Sequence, residues 1–571
     1  MKLLRVNMSN LKAAFEELPE KWTVVGGRGL SARILNAEKS PKADPQGEQA
    51  RFIVAGGPLA GTLAPSCGRI SIGGKSPLTL GIKEANAGGT AAQKLDRLGI
   101  RAIVVQGAPK ENKLYVLHIT KDKVSIEDSD QYAGLKNYAL VEELYKHYDK
   151  KASIISIGIA GERKWKSATV AVTDMDGHPS RHAARGGLGA VMGAKGLKAI
   201  VVDDNGADSI KLADKEAFRE AMRNWPEVIK ADARLASMSK YGTTAAIAAM
   251  RSIGTAPSKN YSSEQTEGYE NLAGPAFEEA NQARGGHMTG CMPGCIVRCS
   301  MVYHGADGKY LTAAYEYETI ALLGTNLGIS DSDSVALFDR LCDELGIDTI
   351  EIGSAMGVAA SEGKMEFGNV ESALSLFDEI EQATEFGEIL ANGVVSTAKA
   401  LGVTRIPAFK GQAIPAHDPR VTKPTGVTYH TSPMGADHTA GVSYDDYKSK
   451  KGQVERSLRT QIFNAAIDSL AYCILAMPAD RMALLGFLKD LINARYGLSL
   501  NADDLINIGR ETLKEELEFN RGAEFSTAHD PDPEFVRTEP LAPIGNVFDV
   551  DPDEIAAIWD KLDTIQIFES K

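Results

Sequence analysis

Cysteine is scarce in this chain, with six among 571 residues. Three of the six, Cys67, Cys342 and Cys473, are scattered, so the sequence predicts no disulfide framework and a reducing compartment. Long apolar runs are also lacking, since no window approaches the roughly 18 apolar residues of a membrane span. The opening residues MKLLRVNMSN contain neither an apolar signal region nor a twin arginine. These absences predict a cytoplasmic protein that crosses no membrane.

An excess of positive charge is lacking as well, because the formal net charge is -13. This balance argues against nucleic acid or an anionic membrane as the main partner. It fits a partner with a basic docking patch, although solubility alone explains an acidic surface equally well. The hydrophobic content of 43% and charged content of 24% are those of a soluble globular protein. The length predicts two to four domains.

The chain changes character near residue 208. Before that point it contains short β-like runs closed by glycine or charge, such as RFIVAGG, GRISIGG, RAIVVQG and KAIVVDD. Beyond it, apolar residues recur at helical spacing, as in DKEAFREAMRNWPEVIKADARLASMSKYG. We find no internal repeat at a fixed period. The sequence predicts an α+β multidomain fold, with a β-rich cofactor-binding domain at 1–208 and two mainly α-helical domains at 209–405 and 406–571.

The other three cysteines lie close together in the stretch GCMPGCIVRCS: Cys291, Cys295 and Cys299. Pro293 and Gly294 disfavour a helix there, so a loop can curl the three thiolates around a compact object. Zinc is one candidate, but structural zinc sites favour two short ligand pairs and the sequence offers no second pair. An iron–sulfur cubane commonly takes three thiolates from one loop and one from afar, and Cys473 is a credible fourth ligand. Three buried free thiols are the structural alternative.

Two segments rich in glycine and arginine are candidates for holding a phosphorylated ligand. The segment 66–89 contributes Arg69, Lys75, Asn86, Gly88 and Gly89. The segment 176–200 contributes Arg181, His182, Arg185, Gly186, Gly187 and Gly189. Glycine lets backbone N–H groups approach a phosphate, and arginine binds it bidentately. Tight strand connections would explain either segment alone, but their co-occurrence favours ligand binding.

Two matching motifs close apolar helical patterns. DELGID (343–348) and DSLAYC (468–473) share the form Asp-x-x-small-x-Asp/Cys. An aspartate at a helix-to-loop junction can accept hydrogen bonds from amide or amino groups, so two of them suit two copies of a nitrogen-rich heterocycle. Ordinary helix-end chemistry explains such a pattern in most proteins.

Taken together with LRVN and GGRGLSARIL near the amino terminus, these residues resemble the aldehyde:ferredoxin oxidoreductase family of tungsten-pterin enzymes, over most of the chain. The resemblance implies two pterins that hold one tungsten or molybdenum, a [4Fe–4S] cluster beside one pterin, and Mg²⁺ bridging the pterin phosphates. The β-rich domain would then be the pterin-binding domain. The implied cluster ligands are Cys291, Cys295, Cys299 and Cys473. The implied pterin-binding residues are Arg69, Asn86, Gly88, Arg185, Gly186, Gly187, Asp343, Gly346, Asp348, Asp468 and Tyr472.

The resemblance also implies oxidation of an aldehyde to a carboxylic acid, with electrons leaving through the cluster to ferredoxin or an iron–sulfur partner subunit. Glu316 or Glu318 of YEYET and His438 of GADHTAG match the family's acid/base region. A solvated carboxylate face and a satisfied loop histidine are the structural alternatives. We expect a glutamate whose pKa is raised by burial to take the proton. The same loop region contains three residues that line the pocket or serve the structure: His417, Tyr429 and His430.

The sequence departs from the family pattern at three points. Three residues instead of two separate the first cysteine pair, and Ala471 stands where glycine is usual. No histidine has glutamate three positions before it, which argues against a metal-bridged homodimer and leaves other homo- or hetero-oligomers open. Two other functions also stay open: an aromatic acyl-CoA reductase of the same broad family, and a pterin-free iron–sulfur electron carrier.

Overall fold

The computed structural model describes residues 1–38, 40–111, 113–262, 266–447, 449–525 and 532–568. The chain is β-rich up to Val202 and mostly helical from Lys215 onward. The predicted α+β fold, with a β-rich amino-terminal part ahead of a helical part, is therefore confirmed. The predicted boundaries at 208 and 405 stay predictions. In the described part of the chain, every helix is too short or too polar to cross a membrane.

The strands of the described residues fall into two large sheets and two small ones. In chain order they are β1 (Lys2–Asn7), β2 (Lys12–Glu17), β3 (Phe52–Ala55), β4 (Ile70–Lys75), β5 (Ile82–Ala87), β6 (Ile100–Gln106), β7 (Tyr115–Ile119), β8 (Val124–Asp128), β9 (Ser153–Ser156), β10 (Val170–Val172), β11 (Arg181–Ala183), β12 (Leu197–Val202), β13 (His287–Thr289), β14 (Ser300–His304), β15 (Tyr310–Ala313), β16 (Ala408–Phe409) and β17 (Gln412–Ala413).

The helices follow the same convention. They are α1 (Gly27–Ala37), α2 (Ala91–Arg97), α3 (Asn137–His147), α4 (Ile159–Glu162), α5 (Leu188–Ala194), α6 (Lys215–Arg223), α7 (Trp225–Ala231), α8 (Ala233–Tyr241), α9 (Ala245–Ser252), α10 (Gly274–Ala283), α11 (Tyr317–Leu323), α12 (Ser332–Leu345), α13 (Thr349–Ser361), α14 (Val370–Gln382), α15 (Glu385–Ala391), α16 (Val394–Leu401), α17 (Lys423–Thr431), α18 (His438–Gly441), α19 (Gln453–Ser469), α20 (Arg481–Tyr496), α21 (Ala502–Gly522), α22 (Phe535–Thr538) and α23 (Pro552–Ala556).

The two large sheets repeat one topology. The first has the order β2-β1-β6-β3-β4-β5, and the second, read from its other edge, has the order β8-β7-β12-β9-β10-β11. Only the pairs β1–β6 and β7–β12 are parallel. All other neighbours are antiparallel. The two large sheets therefore repeat one strand order. The sequence does not reveal this repeat, because the same order of strands can form from segments whose side chains do not match.

The two sheets share one apolar core. Leu4 and Ile103 of the first sheet and Ile155 and Ile200 of the second are fully buried in the same cluster. The first sheet also packs against α1, which in turn contacts α19 and α21 of the helical part. This arrangement brings loops of the β-rich part against the ends of α12 and α19.

The first predicted helical stretch is divided into α6, α7 and α8. Pro226 lies in the first turn of α7, where proline is tolerated but cannot continue a preceding helix. The Asp232 side chain then caps α8 by accepting a hydrogen bond of 3.0 Å from the Leu235 N–H. A continuous apolar period therefore does not guarantee one continuous helix.

Candidate active site

The cysteine-rich loop connects β13 to β14 and contains no helix. The amide of Gly89 donates to the carbonyl of Cys291 at 2.7 Å, which fixes the loop against the end of β5. The Ser66 amide donates to the carbonyl of Gly294 at 3.3 Å, and the Cys473 amide donates to the carbonyl of Ser66 at 2.9 Å. Backbone hydrogen bonds thus carry the distant cysteine to the loop.

The four predicted cluster cysteines lie in one group. Burial raises the pKa of Cys299 well above its ordinary value, and the charges of Glu316, Cys473 and Cys291 raise it further. Burial likewise raises the pKa of Cys473, with Arg69 opposing and Cys291 reinforcing the shift. Among the described residues, no three His, Cys, Asp or Glu side chains are arranged to hold a single metal ion. The fold therefore places Cys473 among the three cysteines of the loop, although about 180 positions separate them in the sequence.

Arg69 lies between the cysteine group and Asp468. Its Nη2 donates to the carbonyl of Asn86 at 2.8 Å, and its Nε bonds the Asn86 side chain. Burial lowers the pKa of Arg69, but the charges of Cys473, Cys291 and Asp468 outweigh burial and raise it. A Cβ atom at Gly88 would lie 3.1 Å from the sulfur of Cys291, so glycine permits this close approach.

Asp468 lies in the last turn of α19, beside a buried ion-pair network. Its Oδ2 is 3.4 Å from Arg28 Nη1, and Arg28 donates two hydrogen bonds to Glu516, at 2.7 and 2.8 Å. Burial raises the pKa of Asp468 although Arg28 opposes the shift. Burial and the charge of Asp468 together raise the pKa of Glu84 to about 8.

Asp343 occupies the corresponding place in the last turn of α12, but its partners differ. Its Oδ1 is 3.0 Å from Nε2 of His182, and Nδ1 of His182 is 2.7 Å from the Thr169 hydroxyl. The side chain of Asn137 donates to the carbonyl of Asp343 at 2.8 Å. Gly346, three residues after Asp343, has φ +73° and ends the helix. The two aspartate motifs are thus both helix-end structures, one paired with arginine and the other with histidine.

Asp348 directly precedes α13 and caps it by accepting a hydrogen bond of 2.9 Å from the Ile350 amide. Its Oδ2 lies 3.0 Å from Arg185 Nε, an ion-pair distance without hydrogen-bond alignment. Arg185 also donates to the carbonyl of Ala413 at 2.9 Å. Burial lowers the pKa of Arg185, but Asp348, Asp437 and other carboxylates raise it. Arg185 therefore connects the Asp348 motif to the segment that contains Asp437.

Several buried polar atoms around these motifs lack an aligned hydrogen bond. They include Nε and Nη2 of Arg181, Nη1 of Arg185 and Oδ2 of Asp343. Nε of Arg185 and Oδ2 of Asp348 lack one too, although they form an ion pair with each other. A buried polar group with no partner costs about 1–3 kcal/mol, so native proteins rarely leave several together. The arginine nitrogens are donors that suit a phosphate, and the aspartate oxygens are acceptors that suit the N–H groups of a heterocycle. A nitrogen-rich heterocycle that carries a phosphate would therefore bond to both. The residues present therefore fit the pterin cofactor that the resemblance implies.

The structure separates the two candidate glutamates. Glu316 precedes α11 and accepts a hydrogen bond of 2.6 Å from the Thr243 hydroxyl, facing the cysteine group. Burial raises the pKa of Glu316. Glu318 lies in the first turn of α11, where its Oε1 is 2.9 Å from Nε2 of His417 and 3.6 Å from Nε2 of His438.

The electrostatics of Glu318 differ from the sequence expectation. Burial raises its pKa, but His438, His417 and the Ala416 amide, which donates at 2.7 Å, lower it to about 2. The raised pKa expected of the catalytic glutamate is thus found at Glu316 and not at Glu318. Oε1 of Glu318 and Nδ1 of His438 are buried and lack an aligned hydrogen-bond partner. Nδ1 of His438 can therefore bind a substrate or water, whereas Oε1 of Glu318 has the two histidines as ion-pair neighbours.

His438 begins α18, directly after Asp437. The Asp437 side chain accepts from the Thr439 amide at 3.0 Å and forms an ion pair with the buried Lys83. Burial lowers the pKa of His438, and 21% of its side chain remains exposed. A mainly neutral imidazole therefore stands beside the Glu318 carboxylate, which can accept a proton while the imidazole donates one.

Other predicted site residues have roles that packing explains. Gly186 and Gly187 have φ of +87° and +72°, and a Cβ atom on Gly187 would lie 2.2 Å from the carbonyl of Lys166. The hydroxyl of Tyr472 donates to the carbonyl of Ala476 at 2.9 Å, so its polar atom is already used. Nδ1 of His430 bonds the carbonyl of Gly426 at 2.9 Å.

Cys67 and Cys342 are two of the six cysteines and stand outside the predicted ligand set. Both are free and buried, and burial raises the pKa of each thiol. Some residues of the site were not predicted from the sequence: Arg28 as a partner of Asp468, Glu84, Glu516 and the pair Lys83–Asp437. The GGRG element around Arg28 was a usable signal, but nothing in the sequence near Glu516 marks that carboxylate.

Comparison with known proteins agrees with this architecture. Residues 3–204 match the family described as "Aldehyde ferredoxin oxidoreductase, N-terminal domain", and residues 220–557 match "Aldehyde ferredoxin oxidoreductase, domains 2 & 3". The "Tungsten-containing aldehyde ferredoxin oxidoreductase" of Pyrococcus furiosus is 32% identical over 568 residues, covering 93% of this chain and 90% of its own. The "Aliphatic sulfonate oxidoreductase, WOR-like subunit" of the same organism is 28% identical, covering 77% of this chain and 74% of its own.

A solved structure extends the comparison to the fold. It is titled "Active site complex BamBC of Benzoyl Coenzyme A reductase in complex with 1,5 Dienoyl-CoA" and superposes with a TM-score of 0.77. The match covers 98% of this chain and 93% of that chain at 18% identity, so it shows a shared fold. The family matches and the extent of the relatives together establish that this chain belongs to the aldehyde ferredoxin oxidoreductase family.

Proposed function

We propose that this protein oxidises aldehydes to carboxylic acids at a tungsten-pterin or molybdenum-pterin centre. Electrons would leave through a [4Fe–4S] cluster held by the four grouped cysteines, to ferredoxin or an iron–sulfur partner subunit. The observation that carries the proposal is the buried Glu318–His438 pair, in which Oε1 of Glu318 and Nδ1 of His438 lack an aligned hydrogen bond. The pair adjoins Arg185, whose Nη1 also lacks one. The 32% identity to a relative named for this activity supports the same substrate class.

The proposed reaction is R–CHO + H₂O → R–COO⁻ + 2 e⁻ + 3 H⁺. The metal–pterin centre, when bound, supplies the two-electron acceptor, and the cluster supplies a one-electron outlet. The protein's part is to hold the aldehyde and to move protons. His438 can donate a hydrogen bond to the carbonyl oxygen, which makes the carbonyl carbon more electrophilic. Glu318 can take the proton released by the attacking water.

The cysteine group suits electron exit. Arg69 adjoins both this group and Asp468, and its guanidinium would offset the negative charge of a thiolate-bound cluster. Cys291 and Cys295 are half-buried, whereas Asp468 is buried. The cysteine group therefore extends from the buried region near Asp468 toward the surface. Electron transfer to an external acceptor requires such a position.

The test combines metal analysis with an activity assay on anaerobically purified protein. We expect about one tungsten or molybdenum and about four iron atoms per chain, since a cubane contains four. Aldehydes should reduce an oxidised viologen dye at a rate that scales with the metal content. Full metal content with no aldehyde-dependent dye reduction would overturn the proposed substrate class, and iron without tungsten or molybdenum would favour a pterin-free carrier.

The alternative within the family is reduction of an aromatic acyl-CoA. The benzoyl-CoA reductase complex supports it through the fold alone, at 18% identity. Incubation with benzoyl-CoA and a strongly reduced dye distinguishes the two activities. Dye oxidation that depends on the thioester, with no response to aldehydes, would favour the reductase.

A further inference from the structure

Proton removal is a requirement of the proposed reaction, because each turnover releases three protons into a buried pocket. Glu318 is the nearest acceptor, yet it holds only one proton at a time and has little contact with solvent. The residues that surround it must therefore include a path for protons to leave.

His417 is the residue placed to continue this path. Its Nε2 lies 2.9 Å from Glu318 Oε1, and its Nδ1 lies 2.8 Å from the hydroxyl of Tyr444. Both ring nitrogens thus face groups that exchange protons. His430, in the adjoining α17, differs because its Nδ1 is bonded to a backbone carbonyl, which cannot pass a proton on.

Tyr444 brings the path toward the surface. His417 is buried, Tyr444 is half-buried, and the next two residues, Asp445 and Asp446, are exposed. The Tyr444 ring packs edge-on against the His417 ring, with 5.7 Å between the ring centroids. This packing fixes the position of the two side chains relative to each other. Glu318, His417 and Tyr444 therefore form a chain of proton-exchanging groups from the pocket to the solvent side.

We propose that His417 and Tyr444 are the proton exit of this active site, an inference that rests on the proposed function. In one transfer the Glu318 O–H bond breaks and a bond forms at His417 Nε2. At the same time the His417 Nδ1–H bond breaks and the proton joins the Tyr444 oxygen, whose own proton passes to water. One proton enters and one leaves, and no electron moves. His417 is left as its other tautomer, and rotation of its ring restores the starting arrangement.

The charges around Glu318 favour this direction. The Ala416 amide donates to Oε2 of Glu318 at 2.7 Å, which stabilises the carboxylate and favours release of a proton from it. Burial and the charge of Glu318 raise the pKa of Tyr444, so its hydroxyl passes protons without ionising. The other titratable or charged groups that face Glu318 are His438, Arg185, Tyr261, Tyr317 and Tyr429.

Tyr317 provides a matched control that distinguishes a proton-transfer role of Tyr444 from a purely structural one. The Tyr317 ring packs on His417 at 5.4 Å, but its hydroxyl donates to the carbonyl of Ala416 at 2.7 Å. Tyr317→Phe therefore removes a buried hydroxyl beside the same ring without touching a ring nitrogen. Tyr444→Phe removes the hydroxyl that faces Nδ1.

The kinetic test compares these two variants with His417→Gln in the metal-loaded enzyme. We expect Tyr444→Phe to lower kcat by about 10-fold and His417→Gln by about 100-fold, within the range of general acid–base catalysis. KM should stay unchanged, and the solvent deuterium isotope effect on kcat should increase in both. Tyr317→Phe should keep the wild-type kcat and isotope effect. Equal behaviour of the two Tyr→Phe variants would overturn the proposal.

A second readout needs no substrate. In protein labelled with ¹⁵N-histidine, the His417 signals are identified by their loss in His417→Gln. Tyr444→Phe should shift the Nδ1 signal and change the tautomer ratio, whereas Tyr317→Phe should leave both unchanged. An unchanged Nδ1 signal in Tyr444→Phe would overturn the relay even if aldehydes are oxidised. A shifted signal in an enzyme that oxidises no aldehyde would refute the proposed function and retain the relay.

Discussion

The methyl group of Ala471 fills the space that a side chain at Gly57 would need. A Cβ atom on Gly57 would lie 2.5 Å from the Ala471 Cβ and 2.6 Å from the carbonyl of Leu470. Ala471 itself has φ +52°, where a side chain is strained, whereas the matching position of the other aspartate motif is Gly346. The alanine that departs from the family pattern is therefore accommodated by a glycine in the facing loop.

Replacing Gly57 should accordingly destabilise the protein. We expect Gly57→Ala to lower the unfolding temperature, with a cost of about 1–3 kcal/mol as for other overpacked cores. Ala471→Gly should relieve backbone strain of about 1 kcal/mol, and the double variant should recover part of the loss. Thermal unfolding of the four proteins measures this. If Gly57→Ala is as stable as the wild type, the close approach described for this pair is wrong.

The two glutamates of YEYET should differ in their effect on turnover. Because Glu318 faces both histidines and Glu316 is bonded to Thr243, Glu318→Gln should lower kcat by about 100-fold or more, whereas Glu316→Gln should lower it by less than about 10-fold. Steady-state kinetics with one aldehyde checks this at matched metal content. If Glu316→Gln lowers kcat more than Glu318→Gln does, Glu316 and not Glu318 is the residue that takes the proton.

Cys473 should be required for the cluster and Cys67 should not. Both thiols are buried, and they influence each other electrostatically, so Cys67→Ser is a close control for Cys473→Ser. We expect Cys473→Ser to lose at least half of its iron, as a cubane without one thiolate does not persist intact. Cys67→Ser should keep its iron and its electron paramagnetic resonance spectrum. Full iron retention in Cys473→Ser would remove this residue from the ligand set.

Glu84 should make stability fall as pH rises. Its pKa is raised from 4.5 to about 8 in the folded protein, so between these values the unfolded state loses a proton that the folded state keeps. The stabilisation is complete below pH 4.5 and is lost as pH rises toward 8. Glu84→Gln should therefore reduce the decrease in unfolding temperature between pH 5 and pH 8. Glu16→Gln, at an exposed carboxylate, should leave the profile unchanged.

The sequence predicted the β-rich half well where strands carry apolar side chains, as in β3, β6 and β12. It did not identify β1, β2, β5, β8 and β11. In β5 and β11 the reason is that IKEANA and RHA contain charged residues that are buried. Lys83, Glu84 and Arg181 all belong to the candidate site, and local patterns fail most often at such places. In these two strands the alternating apolar pattern that predicts a strand is therefore missing, because charged side chains occupy buried positions.

Within the candidate site, short motifs were predictable and distant pairings were not. The cysteine loop and both aspartates stand out in the sequence because their spacing is local. Arg28 and Glu516 are 488 positions apart, and His417 and Tyr444 are 27 apart with no common motif. Only the fold brings such partners together.

The bond between Arg28 and Glu516 has a consequence for how the protein matures. While the chain is being synthesised, the guanidinium next to Asp468 lacks its main counter-ion until α21 has left the ribosome. The pocket around Asp468 is therefore completed only near the end of translation. The charge balance of the site around Asp468 thus depends on the docking of α21 onto α1.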